Sequence, residues 1–361
     1  AGHEIVVFCR PVPGDETGSR YLGMERVVLP ALAFRSLETV SHTALSVFHP
    51  SLGAVDAAIV FNAANAPLLP VLRARRIPVA THVDGLEWRR AKWGTLGRSY
   101  YRMAESLAVR WSDRLIADAA GIAAYYREEF SAGTCQIAYG APIIENPGAD
   151  RLAELGLTSQ GYHLVVARFE PENHVREIVQ GYVRSKASRP LVVVGSAPYS
   201  DAYTAEVHDA ADDRVRLLGG VWDQELLDQL YANSLSYLHG HSVGGTNPSL
   251  LRAAGAGAFV LAYDVGFNRE VVGDNAWFFT DPASVATLVE RVEQDPEVVR
   301  AIGCALRGEI GRYSWDSVAS AYENLCRELA EDGARSRAER PSGRRTGAAP
   351  VRLERRLDAA W

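Results

Sequence analysis

Short apolar runs alternate with stretches of helical period along this chain, and the alternation happens twice. The run Glu4-Ile5-Val6-Val7-Phe8-Cys9-Arg10 is apolar nearly throughout rather than at every second position, which predicts a strand buried on both faces of a parallel sheet. Further strands are predicted at Glu25–Leu29, Asp56–Phe61, Val79–His82, Arg114–Ala117 and Cys135–Ala138. Helices fall between them at Ala31–Phe48, Pro67–Arg76, Ser99–Trp111 and Ala120–Phe130. Two prolines and a closing glycine in Ala141-Pro142-Ile143-Ile144-Glu145-Asn146-Pro147-Gly148 then read as a linker.

The pattern restarts with predicted strands at His163–Ala167, Leu191–Val194, Val215–Leu218, Leu235–Leu238, Ala258–Ala262 and Ala276–Phe279. Helices are expected up to Ser185, over Asp201–Asp209 and Gln224–Ala232, from Pro248, from Gly266, and over Ala283–Glu293, Pro296–Ile310 and Asp316–Ala330. Strand alternating with helix predicts an α/β chain with two doubly wound parallel sheets, whose ligands gather at the carboxyl ends of the strands, in a cleft between the halves. A Gly-His pair directly before the first strand reads as the end of a helix, so a preceding strand and helix are expected to be absent from this chain.

Composition narrows this picture. A length of 361 residues suits two cores better than one. The longest apolar run, Ala253–Tyr263, is well short of the roughly 20 residues a membrane helix needs, and no secretory leader is recognisable. Cys9, Cys135, Cys304 and Cys326 are far apart without metal-type spacing, which predicts free thiols in a cytoplasmic setting. A net charge of −6 and a pI near 5.9 argue against nucleic acid as the main partner, while a local patch leaves room for weak peripheral contact with the inner face of a membrane. Residues 333–361 carry eight arginines against three acidic groups with little apolar period and are expected to be disordered.

Three stretches carry chemistry. After the strand at 235–238, Gly244-Gly245-Thr246-Asn247 precede Pro248 and a helical run; glycines permit close backbone approach, Asn247 or Thr246 can cap, and amides at a helix start suit a phosphate. The loop His82-Val-Asp-Gly-Leu-Glu-Trp-Arg-Arg-Ala-Lys-Trp93 gathers polar groups at a strand end, and Arg168-Phe-Glu-Pro-Glu-Asn173 stands at another. No Asp-x-Asp pair or cluster of His and Cys ligands suggests a metal, and no resident cofactor is expected.

Together with Gly240-His-Ser-Val-Gly-Gly-Thr-Asn-Pro-Ser-Leu-Leu251, these motifs resemble the retaining glycosyltransferases of family 4, in the bacterial rhamnosyltransferase-like branch with a DUF1972 amino-terminal domain. The resemblance spans about residues 1–330. It implies the GT-B fold: a Rossmann-like acceptor-side domain over 1–145, a nucleotide-sugar domain over 146–312, and a helix over 313–332 that crosses back. It further implies metal-independent transfer, with retention, from a nucleotide diphosphate donor, often dTDP-L-rhamnose, to a glycan or lipid-linked polysaccharide precursor. By that resemblance His82 lies near the transferred sugar, with Asp84 and Glu87 able to orient the acceptor. Arg168, Asn173, Gly244, Gly245, Thr246 and Asn247 would hold the diphosphate, and Gly195, Ser249 and Arg252 the nucleotide and ribose.

Three features depart from the pattern of many family 4 enzymes, although the rhamnosyltransferase-like branch already has Gly at the first glutamate position. Two glutamates eight residues apart become Gly244 and Arg252, a customary lysine becomes Asn173 or His174, and the family's opening strand and glycine-rich loop have no counterpart. A catalytically inactive nucleotide-sugar-binding homologue and a GT-B epimerase or hydrolase therefore stay open as alternatives.

Overall fold

The computed structural model describes residues 2–11, 18–32, 34, 37–83, 85–90, 93–196 and 201–338. The first half comprises β1 (Val6–Cys9), β2 (Arg20–Tyr21), β3 (Met24–Val28), α1 (Glu38–Phe48), β4 (Ala58–Phe61), α2 (Leu69–Ala74), β5 (Val79–His82), α3 (Thr95–Trp111), β6 (Arg114–Ala117), α4 (Ala120–Phe130) and β7 (Cys135–Gln136). The second comprises β8 (His163–Val166), α5 (Val175–Arg184), β9 (Leu191–Val194), α6 (Asp201–Asp209), β10 (Val215–Gly219), α7 (Gln224–Ala232), β11 (Ser236–His239) and α8 (Pro248–Gly255). It continues through β12 (Val260–Tyr263), α9 (Gly266–Val272), β13 (Ala276–Phe279), α10 (Pro282–Gln294) and α11 (Pro296–Glu309), and α12 (Trp315–Ala338) ends the described chain.

Two Rossmann-like domains result. The second is one parallel six-stranded sheet in the order β10-β9-β8-β11-β12-β13. Its strands β9 and β11 are buried along their whole length, as central strands covered on both faces are. Apolar side chains cover both faces, with Leu164, Val192 and Val260 in one cluster and Val165, Val193 and Leu261 in the other.

The first domain departs from the single doubly wound sheet expected. Its strands divide into a parallel four-stranded sheet, β4-β5-β6-β7, and a three-stranded one, β1-β3-β2, in which β2 is antiparallel. Among the described residues no ladder joins β1 to β4; Val7 and Phe61 stay exposed, whereas β5 is buried throughout. The helix expected from Ala31 begins at Glu38, and the one expected at Pro67–Arg76 is a 3-10 segment, Ala63–Leu68, followed by α2. Pro67 cannot donate to a regular α-helical turn, and the Asn62 side chain caps the 3-10 segment by accepting from the Ala64 amide.

α12 runs back onto the first domain. Leu325 and Leu329 are buried against Ala80, Ile116 and Ile137, and Arg114 pairs with Asp332 at 2.9 Å. The expectation of disorder from residue 333 is corrected for its first six residues, which continue α12. Arg335 lies 3.5 Å from Glu331 and 3.9 Å from Asp332, pairs at helical spacing that support the extension. Residues 339–361 lie outside the described residues. No helix among the described residues is long and apolar enough to cross a membrane.

One buried acid in the first domain gives a measurable signature. The Glu105 carboxyl on α3 accepts a 2.9 Å hydrogen bond from the Tyr125 hydroxyl, and burial pushes its pKa up to about 7 from an ordinary 4.5. Folding therefore favours the protonated acid: the contribution is complete below about pH 4.5 and is lost as pH rises through 7. Glu105→Gln cannot ionise, so its stability relative to the parent should rise by about 3 kcal/mol between pH 4.5 and pH 8. Urea denaturation at both pH values checks this, and parallel pH dependence in the two proteins would refute it.

Candidate functional site

A cleft of about 520 Å³ opens between the domains, at the carboxyl ends of β8, β9 and β11. Its second-domain wall includes Arg168, Gly195, His241, Trp222 and residues 243–249, and its first-domain wall includes Arg90, Asp118 and Tyr139.

The loop before α8 forms one end. Asn247 caps the helix by accepting from the Ser249 amide at 3.0 Å, and Pro248 occupies the first helical position. The amides of Gly244, Gly245 and Thr246 donate to no carbonyl among the described residues, so they and the positive end of α8 are available to an anion. Gly244 has φ +142°, a conformation few side chains tolerate. Gly245 is required by space: a Cβ there would stand 2.1 Å from Oδ1 of Asp118 in the opposite domain. Beside it the Thr246 hydroxyl donates to the Asp118 carbonyl at 2.5 Å, so that this hydroxyl is occupied across the interface.

Arg168 follows β8 and faces the cleft, and among the described residues no carboxylate pairs with it. Glu172, a candidate partner by proximity in sequence, instead lies 3.5 Å from Arg90, which also pairs with Glu87 at 2.7 Å. Two guanidinium groups thus meet at the cleft from opposite walls. His241 registers their field: burial first, then Arg168 and Arg90, push its imidazole down to about 3, leaving it neutral. Arg90 is offset by its two carboxylates, so Arg168 and the loop amides are the donors left for phosphate oxygens, which a guanidinium fork binds bidentately.

The remaining expected residues divide. Gly195 and Ser249 line the cleft, with the Ser249 hydroxyl held by Tyr237 at 3.0 Å and Asn247 at 2.8 Å. Asn173, expected on the diphosphate, is buried and donates to the Arg168 carbonyl at 2.8 Å; its amide fixes the turn that presents Arg168. His174 likewise turns away, bonded to the Gly240 carbonyl at 2.8 Å and stacked on Tyr263. Arg252, expected at the ribose, lies off the cleft wall and pairs with Asp228 of α7 at 2.8 Å.

His82 ends β5, 1% exposed behind the wall, with its ring between those of Phe61 and Tyr139 at centroid distances of 5.5 and 5.9 Å. Burial lowers its pKa to about 4, so near neutral pH it can exchange hydrogen bonds but carries no charge. Glu87 is engaged with Arg90, and Asp84 lies outside the described residues.

Arg90, Asp118, Tyr139 and Trp222 are among the lining residues not assigned to the site from sequence, although Arg90 lies in the loop singled out there. Arg90, Asp118 and Tyr139 come from the first domain, where only strand-end position could have marked them. Trp222 is 92% exposed, beside the cleft, just after Gly219-Gly220. An apolar ring so placed in a polar loop is the signal that was available.

Comparison with known proteins bears on the fold. Residues 78–142 match the domain of unknown function DUF1972, and residues 153–303 match the family described as glycosyl transferases group 1. No curated protein sequence matches the chain. Among solved structures, sucrose-phosphate synthase from Thermosynechococcus elongatus superposes with a TM-score of 0.77 at 17% identity, over 92% of this chain and 90% of that one. Anabaena HepE in complex with UDP and glucose superposes with a TM-score of 0.68 at 17% identity, over 85% and 86%. A glycosyltransferase from Rickettsia africae gives 0.65 at 11% identity, over 86% of each chain. The fold is thus that of the two-domain GT-B glycosyltransferases.

Proposed function

We propose that this chain transfers a sugar from a nucleoside diphosphate donor to a glycan or lipid-linked polysaccharide precursor, with retention at the anomeric carbon. The observation that carries the reading is the convergence of Arg168 and the free amides of 244–246 on one cleft. As the bond between sugar and diphosphate breaks, negative charge grows on the leaving phosphate, and fixed guanidinium and amide donors stabilise it without a nucleophile. The group 1 match over the second domain and the likeness to HepE, solved with UDP and glucose, support a nucleotide-sugar donor. The three ordered motifs, similar to those of family 4, support retention without a metal and place dTDP-L-rhamnose beside UDP-sugars among the donors to test. In this reading the protein works in the cytoplasm, at the inner membrane face where a lipid-linked acceptor is presented.

Within the cleft we assign Arg168 and residues 244–247 to the diphosphate, and Gly195 and Ser249 to the nucleoside side. His82 and Glu87, behind the lining, are assigned to the sugar and acceptor side, with Tyr139 between His82 and the cleft, and Asp84, outside the described residues, keeps that role as a proposal from the motif alone. Trp222 would stack on the base. Trp222→Ala should weaken UDP or dTDP by roughly 1–2 kcal/mol, while Trp222→Phe largely retains affinity. Isothermal titration checks this, and equal affinities for all three proteins would remove Trp222 from the site.

The test of the whole reading is incubation with labelled UDP- and dTDP-sugars and a lipid-linked glycan acceptor. Transfer with the anomeric configuration kept is the expected result. Donor binding with neither transfer nor hydrolysis would identify an inactive sugar-nucleotide-binding homologue, a reading that the placement of Asn173, His174 and Arg252 away from the cleft favours.

A further inference from the structure

A second cavity, of about 330 Å³, lies within the first domain between the turn Glu87–Arg89 and helices α3 and α4. Its walls include Trp88, Arg89, Arg102, Tyr125, Glu128 and Glu129, none of which enters the donor cleft. The guanidinium groups of Arg89 and Arg102 lie over the Trp88 ring at 5.2 and 5.1 Å, which holds the indole in place. At its base the Tyr125 hydroxyl donates to the buried Glu105 carboxyl, and the buried Trp88 indole N–H lies beside that carboxyl without reaching hydrogen-bond geometry.

The chemistry of these walls selects a ligand class. Two guanidinium groups face two exposed-side carboxylates, Glu128 and Glu129, so the charges balance and no net field draws an ion. Carboxylates accept from neighbouring hydroxyls, guanidinium N–H groups donate, and ring edges of Trp88 and Tyr125 offer apolar contact to C–H faces. Alternating donors, acceptors and aromatic carbon describe a polyhydroxylated neutral molecule better than a phosphate or an apolar chain. The volume is at the lower end of small-molecule sites.

Position links the cavity to the cleft. One short turn serves both, since Arg90 points to the donor side and pairs with Glu172 of the second domain, while Trp88 and Arg89 wall the cavity. We propose that this cavity is a second carbohydrate site, holding a neutral sugar unit of the acceptor glycan at a distance from the reacting hydroxyl. Its role with an acceptor rests on the transferase reading; its capacity to hold a sugar does not.

Gly121 offers a clean obstruction. It lies in the first turn of α4 on the cavity wall, and a Cβ added there meets nothing within 4 Å, so Gly121→Leu fills the space without straining the helix. The experiment is saturation-transfer NMR on the full chain, saturated with UDP, against the methyl glycosides of glucose, galactose, mannose, rhamnose and N-acetylglucosamine. At least one glycoside should bind with UDP present and lose affinity tenfold or more in Gly121→Leu, while UDP affinity is unchanged. Glu128→Ala, which removes one acceptor from the wall at an exposed position, should cause a smaller loss of about threefold and serves as the reading if the leucine variant does not fold. Binding of no glycoside, or glycoside binding indifferent to these substitutions, overturns the proposal. Failure of the transferase reading shows separately, as absent transfer in the donor assay whatever the glycosides do.

Discussion

Replacing Arg168 with alanine should weaken UDP or dTDP binding by about 1.5–3 kcal/mol, roughly ten- to a hundredfold. The range is that of a hydrogen bond to a charged group, and nothing compensates: no carboxylate among the described residues pairs with this guanidinium, so its removal leaves no partner to relax into the vacancy. Arg168→Lys keeps the charge but loses the fork and should fall between the two. Isothermal titration of the nucleotide provides the measurement. Affinity unchanged in Arg168→Ala would remove the residue from the diphosphate site and, with it, the observation on which the transferase reading stands. Global stability should move little, because the side chain faces the cleft and supports no packing.

A larger structural effect is expected at Gly245. A single methyl there meets the Asp118 carboxyl at 2.1–2.5 Å, and Asp118 is buried, so the loop or the opposite domain must move. Overpacking of this kind costs about 1–3 kcal/mol, and here the cost falls on the close approach of the two domains rather than on either core. Gly245→Ala should therefore lower donor affinity and turnover together by about tenfold or more while thermal unfolding changes little. Adding Asp118→Ala removes all three clashing atoms and should restore part of the affinity. A Gly245→Ala variant that binds UDP like the parent would show that the approach of 245 to Asp118 is not needed for donor binding.

The contrast between these sites explains what the sequence revealed and what it withheld. Strands β5, β6, β9 and β13 and helices α4, α6 and α7 occur at the bounds their periodicity predicts. They are short, bracketed by turn residues, and decided by local pattern. The grouping of strands into sheets was not legible in the first domain, because β1 and β3 carry the same apolar signal as β4 and nothing local states which ladders form. The second-domain side of the cleft could be read because each element there is a contiguous loop at a strand end: Arg168, Gly195 and 244–249. Arg90, Asp118 and Tyr139 are brought to the same place by packing between domains, a relation that spacing does not encode. Asn173 and Arg252 show the converse, since polar residues within a recognisable motif find partners at the Arg168 carbonyl and at Asp228.

Gly140 and Trp315 mark the two points where the chain passes between domains, and they touch. A Cβ on Gly140 would stand 2.3 Å from the Trp315 ring, and the Ala141 amide donates to the Tyr313 carbonyl at 2.7 Å. Two crossings far apart would lock the halves together, whereas two crossings stitched side by side act as the spine of a book. Sliding of the halves would break the Ala141–Tyr313 hydrogen bond, whereas a swing about that seam would part Gly245 from Asp118 like facing pages. A side chain at position 140 would force the two crossings apart, so glycine there is what lets them lie side by side.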